Sequence, residues 1–346
     1  MIRVENVYYM LAYAFQILQE QGYKNVLAEE FDNVEELLSA ILCRGVSVQL
    51  KRGLNRQYIS REEPLTSPKG KLEINESIKT SVIRKKQLIC SYDEFSVDEY
   101  MNRIIKSTLE LLLRDDISKT RKKEIRKVLV FLRDVSVLDV HNINWNLRYD
   151  RNNQTYRMMI AVCEMVVKGM LQSNTDGAMH VMDYLDEQTM PKLYEKFILG
   201  YYQCEYKDKG IKAYSPQIKW QLDDEMGLYL PTMQSDIVIS CESTKKTLII
   251  DAKYYSHNMQ TKAPYTSQTI HSANLYQIFT YVKNWNVKEG EKVSGMLLYA
   301  RTDDEIQPNN SYQISGNQIS VQTLNLDCKF EKIREQLDRI AEMVSI

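Results

Sequence analysis

No Cys-x-x-Cys pair occurs in the chain, and its six cysteines (Cys43, Cys90, Cys163, Cys204, Cys241 and Cys328) stand singly. That scatter argues against a zinc centre built from paired thiolates and suits small buried hydrophobes in a reducing compartment. A long apolar run is absent too. The most apolar early stretch, Val7 to Phe15, is too short to span a bilayer and leads into Gln16, Gln19 and Glu20. With no basic leader or small-residue cleavage site beside it, we expect an amphipathic helix in a cytoplasmic protein with no membrane role.

Nor is there an excess of one charge. Lys and Arg number 45 against 46 Asp and Glu, for a net charge of −1. A protein that holds long duplex DNA unaided usually carries a basic excess, so any DNA-binding role here needs a local patch or a partner. Internal repeats and low-complexity segments are missing. The P-loop pattern G-x-x-x-x-G-K-[ST] is missing as well: Gly70-Lys71 has leucine, not glycine, at position 65. Nucleotide binding is therefore not expected of this chain.

The composition is 44% hydrophobic and 26% charged over 346 residues, enough for two globular domains of ordinary size. In the first half the spacing predicts helices over Asn6 to about Glu20 and Val34 to about Leu42. A strand-rich segment follows at about 57–90, where Ile59, Leu72 and Ile74 sit among polar neighbours and Pro64, Pro68 and Gly70 mark turns. Met101, Ile104, Ile105, Leu109, Leu112 and Leu113 recur at helical steps from Asp98 to about Arg114, and a further helix is expected over Lys119 to about Arg133. The basic residues Arg114, Lys119, Arg121, Lys122, Lys123, Arg126 and Lys127 make either a solvated helix face or a phosphate-contacting patch.

After a helix at about Tyr156 to Leu171, the run Gln172-Ser173-Asn174-Thr175-Asp176-Gly177 reads as a linker. It divides a mostly helical domain at 1–174 from a mixed domain at 175–346. The second half reads as a helix (about Met190 to Tyr206), short strands, a helix at about Ile270 to Trp285, further strands, and a closing helix from Phe330 to about Met343. The fold class expected is therefore α+β or α/β, with a mixed sheet flanked by helices.

The chemistry-bearing stretch is Ser235-Asp236-Ile237-Val238-Ile239, followed after a turn at Thr244-Lys245-Lys246 by Leu248-Ile249-Ile250-Asp251-Ala252-Lys253. Three consecutive apolar residues suit a strand covered on both faces. Asp251 and Lys253, two residues apart, leave the same face of that strand, and the hairpin can bring Asp236 beside them. Carboxylates gathered at the end of a buried strand repel one another unless a cation lies between them. Oxygen ligands without Cys or His favour Mg²⁺ or Mn²⁺. A neighbouring lysine can orient or help deprotonate water and stabilise charge on a phosphate, which suits phosphodiester hydrolysis.

Other positions have two readings. Glu195 borders the buried stripe Tyr194, Phe197, Ile198 and Tyr201 and either faces the metal or pairs with a surface lysine. Gln277 and Tyr281, four apart on one helix, either support the site or DNA backbone or face solvent. His257 and His271 lie in the same region and suit surface or packing positions.

A strand Asp, then Asp-x-Lys, with an upstream helical Glu and a downstream Gln-x-x-x-Tyr, resembles the PD-(D/E)xK nuclease superfamily. Within it the chain resembles the McrC family through Val4-Glu5-Asn6-Val7-Tyr8-Tyr9-Met10-Leu11-Ala12-Tyr13-Ala14, Arg52-Gly53-Leu54, Lys69-Gly70-Lys71-Leu72, Asn102-Arg103-Ile104-Ile105-Lys106-Ser107-Thr108-Leu109, Asp251-Ala252-Lys253-Tyr254-Tyr255 and Leu275-Tyr276-Gln277. The superfamily's proline is not adjacent to Asp236, since Pro231 lies five residues earlier.

The resemblance implies a Mg²⁺-dependent DNA endonuclease subunit that acts on modified, methylated double-stranded DNA. Its implied partner is a GTP-hydrolysing AAA+ ring of the McrB kind, stimulated by the N-terminal half, with Lys69, Gly70 and Lys71 as a docking loop or an ordinary exposed turn. Two alternatives stay open: a stand-alone repair or recombination nuclease of the same superfamily, and a non-catalytic activator of the ring.

Overall fold

In the computed structural model the described residues are all except 1, 17–30, 32, 151–152, 177–188, 225–226, 262–267, 288 and 346. They form two compact units, Leu38–Val167 and the combination of Met1–Leu37 with Lys168–Ile346. This differs from the expected two-block division into 1–174 and 175–346, because the N-terminal helix joins the C-terminal unit.

The Leu38–Val167 unit receives helix α2 (Val34–Arg52), which has acids in its first turn and Lys51 and Arg52 in its last, matching the helix dipole. Asn33 caps it, its side-chain oxygen accepting from the Glu36 amide at 2.8 Å. Strands β1 (Gln57–Leu65) and β3 (Leu88–Ser96) pair antiparallel over nine residues, and β2 (Lys71–Leu72) adds to the other edge of β3.

The expected strand-rich segment is thus real but interrupted. Helix α3 (Ile74–Lys79) and a 3₁₀ turn over Val82–Lys85 intervene between β2 and β3. Ser77 stitches α3 back onto the sheet, donating to the Glu73 carbonyl and accepting from the Ile89 amide at 2.8 Å. The sheet presents apolar side chains to solvent: the rings of Tyr58 and Phe95 meet tilted at 4.9 Å, and Ile74, Ile78 and Ile83 are exposed nearby in sequence.

Helices α4 (Tyr100–Leu112), α5 (Lys119–Val130) and α6 (Tyr156–Asp176) complete this part of the chain. The hydroxyl of buried Tyr156 donates to Asn102 Oδ1 at 2.7 Å and accepts from the Asn55 amide at 2.8 Å, locking α6 to α4 and the approach to β1. In α5, Arg121 is buried and pairs with Glu124, while Lys119, Lys123, Arg126 and Lys127 are exposed. The expected linker is not irregular where it is described: α6 continues through Asp176, and Gly177 lies outside the described residues.

The larger unit is built from α1 (Val4–Ala14), α7 (Met190–Glu205), α8 (Ser272–Lys283) and α9 (Phe330–Ser345) around a six-stranded mixed sheet. Its strands are β4 (Ile211–Tyr214), β7 (Ile237–Cys241), β8 (Lys246–Lys253), β11 (Lys292–Ala300), β12 (Asn310–Ile314) and β13 (Asn317–Leu324), in the order β12-β13-β11-β8-β7-β4. Strands β8, β11 and β13 run parallel, while β12, β7 and β4 pair antiparallel to their neighbours. Two short hairpins flank the sheet: β5 (Gln217–Ile218) with β6 (Met233–Gln234), and β9 (Met259–Thr261) with β10 (Gln268–Ile270). The alternation at Ile218, Trp220 and Leu222 therefore yields only a two-residue strand.

Helix α8 forms the crossover from β8 to β11. Its Ile278, Tyr281 and Val282 pack on Val238, Ile249, Leu297 and Ile319 of one sheet face. Gly295 permits this approach, since a Cβ there would meet Ile278 and Val282 at 2.8 Å. The alternate residues Ile237, Ile239, Leu248, Ile250, Met296 and Leu298 point to the opposite face and are also buried. Helices α7 and α9 pack on β4, β7 and β8. No helix among the described residues is long and apolar enough to cross a membrane.

Helix α1 packs on α7 through a backbone-to-backbone approach at Gly200, where a Cβ would lie 2.2 Å from the Tyr13 carbonyl oxygen. Tyr13 OH donates to Glu205 at 2.7 Å, and Asn6 Nδ2 donates to the Leu326 and Cys328 carbonyls at 2.8 Å. Gly200→Ala is expected to push the two helices apart and cost about 1–3 kcal/mol, as overpacking of a filled core does. A urea melt reads this directly; an unchanged midpoint would contradict the packing of α1 described here.

Candidate active site

The register of the β7–β8 hairpin sets the geometry. Ile237 pairs with Ile250, so Asp236, just before β7, comes beside Asp251 and Ala252 near the end of β8. The turn occupies Glu242–Lys245, with Lys245 at φ +54°, and Lys246 already belongs to β8. Asp236 Oδ2 accepts from the Ala252 amide at 2.8 Å, which ties the two strand ends together. Lys253 Nζ lies 2.8 Å from Asp251 Oδ2. The three groups anticipated from the sequence therefore meet.

Asp251 is 0% exposed, and neither of its oxygens accepts a well-aligned hydrogen bond; the Lys253 contact is an ion pair of poor hydrogen-bond geometry. Burial pushes the Asp251 carboxyl well above its ordinary range, Lys253 works against that, and the nearby Asp236 adds to it. Asp236 is raised too, chiefly by burial, with the Ala252 amide and Lys253 opposing. For Lys253, burial disfavours the charge, but Asp251 and Asp236 outweigh it and hold the ammonium above its usual value.

Both residues with two readings on α8 turn inward. Gln277 Oε1 accepts from Lys253 Nζ at 3.2 Å, and Gln277 Nε2 donates to Tyr281 OH at 2.8 Å. Tyr281 OH in turn donates to the Gln234 carbonyl at 3.0 Å, two residues before Asp236. The chain Lys253–Gln277–Tyr281–Gln234 thus spans from one strand end to the other across α8. Tyr281→Phe removes the middle link and is expected to lower any hydrolytic rate by about 2- to 10-fold, the size of one neutral hydrogen bond. Single-turnover kinetics with matched melting curves would check it.

Glu195 projects from α7 into the same electrostatic field. Burial first, then Asp236, push its carboxyl up to about 7, with Lys253 opposing. Even so, no three His, Cys, Asp or Glu side chains among the described residues gather closely enough to hold a metal ion. The expected trio of Asp236, Asp251 and Glu195 does not close into one cluster; the close acidic pair is Asp236 and Asp251.

A protein-family model for the McrBC 5-methylcytosine restriction system component matches residues 3–300. The chain belongs to the McrBC component family. It is 30% identical over 342 residues, 97% of this chain and 96% of the relative, to the type IV methyl-directed restriction enzyme EcoKMcrBC of Escherichia coli strain K12. Its fold is similar, with a TM-score of 0.51 and 14% identity, to a chain in the half-complex of Thermococcus gammatolerans McrB AAA+ hexamers with bound McrC; the match covers 96% of this chain and 76% of that one.

Outside this site, Lys69, Gly70 and Lys71 do not form a freely projecting tip. Gly70, at φ +70°, lies so close to β3 that a Cβ would sit 2.4 Å from the Ser91 carbonyl oxygen. Lys69 Nζ rests 3.7 Å over the Tyr92 ring, and Lys71 pairs with Glu73 at 2.6 Å. The segment is exposed but anchored.

Several supports escaped the sequence reading. Ser235, wholly buried, donates to the Pro216 carbonyl at 3.0 Å, and Ser215 Oγ donates to the Ser235 carbonyl at 2.7 Å, pinning the backbone just before Asp236. Asn274 Nδ2 donates to Tyr299 OH at 2.9 Å and its oxygen accepts from Tyr255 OH at 3.3 Å, bracing the end of β8. The paired serines carry no spacing signal, because they meet only after the β5–β6 hairpin folds.

Proposed function

We propose that this McrBC-family chain is the nuclease subunit of a two-component, GTP-dependent restriction system that hydrolyses phosphodiester bonds of methylated double-stranded DNA. Its hydrolytic half is read as a PD-(D/E)xK nuclease domain centred on Asp236, Asp251 and Lys253. The observation that carries this is the wholly buried Asp251 carboxylate, 2.8 Å from Lys253 and beside Asp236, with no aligned donor for either oxygen. Lys253 answers one of the two neighbouring acidic charges, and the second is costly to keep unless a further cation shares it. The donors are all oxygen, so they fit Mg²⁺ or Mn²⁺, and Asp236 and Asp251 are the residues that would hold it.

A bound divalent ion supplies Lewis-acid polarisation of the phosphoryl oxygen and a more acidic water. Lys253, kept protonated by its two acidic neighbours, offers its ammonium to charge developing on the phosphate rather than acting as the base. Gln277 orients that ammonium, and Tyr281 orients Gln277. Glu195, titrating near neutrality at the edge of the site, is positioned to hold or release a proton there.

The partner we propose is an McrB-like AAA+ GTPase ring. The support is the E. coli relative's description as methyl-directed, the T. gammatolerans McrB hexamers solved with bound McrC, and the lack of a P-loop in this sequence. The exposed Lys69–Lys71 segment at the β2 edge of the small sheet suits the docking surface. Gly70→Val should displace that segment from β3 and weaken GTPase stimulation about 10-fold, equivalent to the loss of roughly 1.4 kcal/mol of binding. A coupled GTPase assay would read this.

The deciding experiment mixes the chain with such a GTPase, GTP, Mg²⁺ and either methylated or unmethylated duplex. Cutting is expected only with every component and the methylated duplex. Robust cutting of unmethylated DNA by the chain alone would favour a stand-alone nuclease instead.

A further inference from the structure

Strands β8 and β11 are parallel neighbours with Lys253 opposite Tyr299, so the chain leaves both strands side by side just past the catalytic lysine. Between these exits opens a cleft of about 910 Å³, beside the carboxylates rather than over them. Its walls include Tyr255, His257, His271, Arg301, Thr302 and Asp304. A position at the carboxyl ends of parallel strands is where open α/β sheets place their ligands.

The walls are built rather than loose. Asn258, wholly buried, donates to the Ala300 carbonyl at 2.8 Å and to Gln307 at 3.1 Å, clipping the two exits together. Asp304 is engaged on both oxygens, by His257 Nδ1 at 3.0 Å and by Thr302 Oγ1 at 3.0 Å, so its acceptors are occupied within the wall, and Asp303 beside it also has a partner. The exposed Arg301 guanidinium makes no ion pair with any described residue and is left as cationic capacity at the rim. Tyr255 is 38% exposed, its ring tilted against both His271 (5.4 Å) and Tyr299 (6.1 Å), and its hydroxyl donates to Asn274. Two residues of extended chain separate it from Lys253, roughly 7 Å.

A partly exposed aromatic ring and a guanidinium that forms no ion pair with a described residue, in one concave site, are the two elements that hold an unpaired nucleotide. We propose that this cleft binds one nucleotide of the DNA strand being cut, swung out of its base pair, with its phosphate against Arg301 and its base against Tyr255. This rests on the hydrolytic reading of the neighbouring carboxylates and adds a substrate subsite to it.

The test uses the full chain and a short fluorescein-labelled single-stranded deoxyoligonucleotide, with binding followed by anisotropy. Arg301→Gln and Tyr255→Leu should each weaken binding about 5- to 100-fold, whereas Tyr255→Phe, which keeps the ring, should stay within about 3-fold. Thymidine monophosphate should displace the oligonucleotide at lower concentration than inorganic phosphate. Absence of binding by the wild-type chain, full binding by Arg301→Gln or by Tyr255→Leu, or equal competition by inorganic phosphate would overturn the proposal. Melting curves guard against misfolding of Tyr255→Leu, and Arg301→Gln, at an exposed position, supplies an independent reading. Asp251→Asn should retain oligonucleotide binding and lose cleavage; a variant that still cuts would overturn the carboxylate reading while leaving the binding result to stand by itself.

Discussion

Asp251→Asn is expected to abolish DNA cleavage, by roughly 10³-fold or more, while stimulation of the partner's GTPase is kept. The amide matches the carboxylate in size, so β8 and its neighbours should keep their packing. What is lost is the negative charge that, with Asp236, is proposed to hold a divalent ion. The same variant should be more stable than the wild type at alkaline pH. Burial raises the folded Asp251 carboxyl above its unfolded value, so the folded chain binds the extra proton. Stability linked to that proton is fully present below the ordinary carboxylate range and is lost as pH rises through the raised folded value.

Glu195, at about 7, adds in the same direction. The substituted amide cannot ionise, so the Asp251→Asn midpoint should fall less between pH 5 and pH 8, by about 2–4 °C for each kcal/mol spared. Parallel melts across that range, with cleavage and GTPase assays, would check both halves. Loss of cleavage and stimulation together in a folded variant would contradict the division of labour.

Lys253→Met should cost cleavage on a similar scale, about 10²–10³-fold, because it removes the cation proposed to meet developing phosphate charge. Its effect on stability has the opposite pH character. With the ammonium gone, Asp251 keeps Asp236 as a repulsive neighbour and loses its counter-charge, so its carboxyl rises further. Below neutrality the acid simply stays protonated, and the penalty is confined to lost packing. Above neutrality ionisation becomes expensive, and the variant should lose roughly 1–3 kcal/mol more than the wild type does. A flat pH profile of the difference between the two proteins would show that Lys253 does not answer the Asp251 charge.

The convergence of the candidate site residues was legible in the sequence because its signal is local. Leu248-Ile249-Ile250 marks a strand buried on both faces, and the two-residue spacing of Asp251 and Lys253 fixes a shared side. Hairpin closure then brings Asp236 across, and the four-residue spacing of Gln277 and Tyr281 puts both on one side of α8, toward the lysine. Glu195 marks the limit of that approach. Its place beside the buried stripe of α7 was readable, but whether it closes on the other acids depends on how α7 lies across the sheet, which no local pattern encodes.

The architecture was less legible where contacts are distant. Nothing around Val4–Ala14 indicates that Gly200 leaves room for its backbone, so α1 reads as part of the domain that follows it, not of the C-terminal unit. Gln172–Asp176 has a loop-like composition yet continues α6, because propensity yields to the helix already propagating from Tyr156. Between β2 and β3, Ile74 among polar neighbours reads as half-exposed strand, yet it opens a short helix that is held by Ser77 rather than by an apolar stripe.

The most direct measurement is a Mn²⁺ titration of the full chain with a methylated duplex, followed by electron paramagnetic resonance of the free ion. Wild-type protein is expected to remove Mn²⁺ from solution, with Asp236→Asn and Asp251→Asn each weakening that uptake at least about 10-fold, since each takes away one of two anionic ligands. Uptake of the ion that is undiminished in both variants would contradict the account, because Asp236 and Asp251 would then not be its ligands.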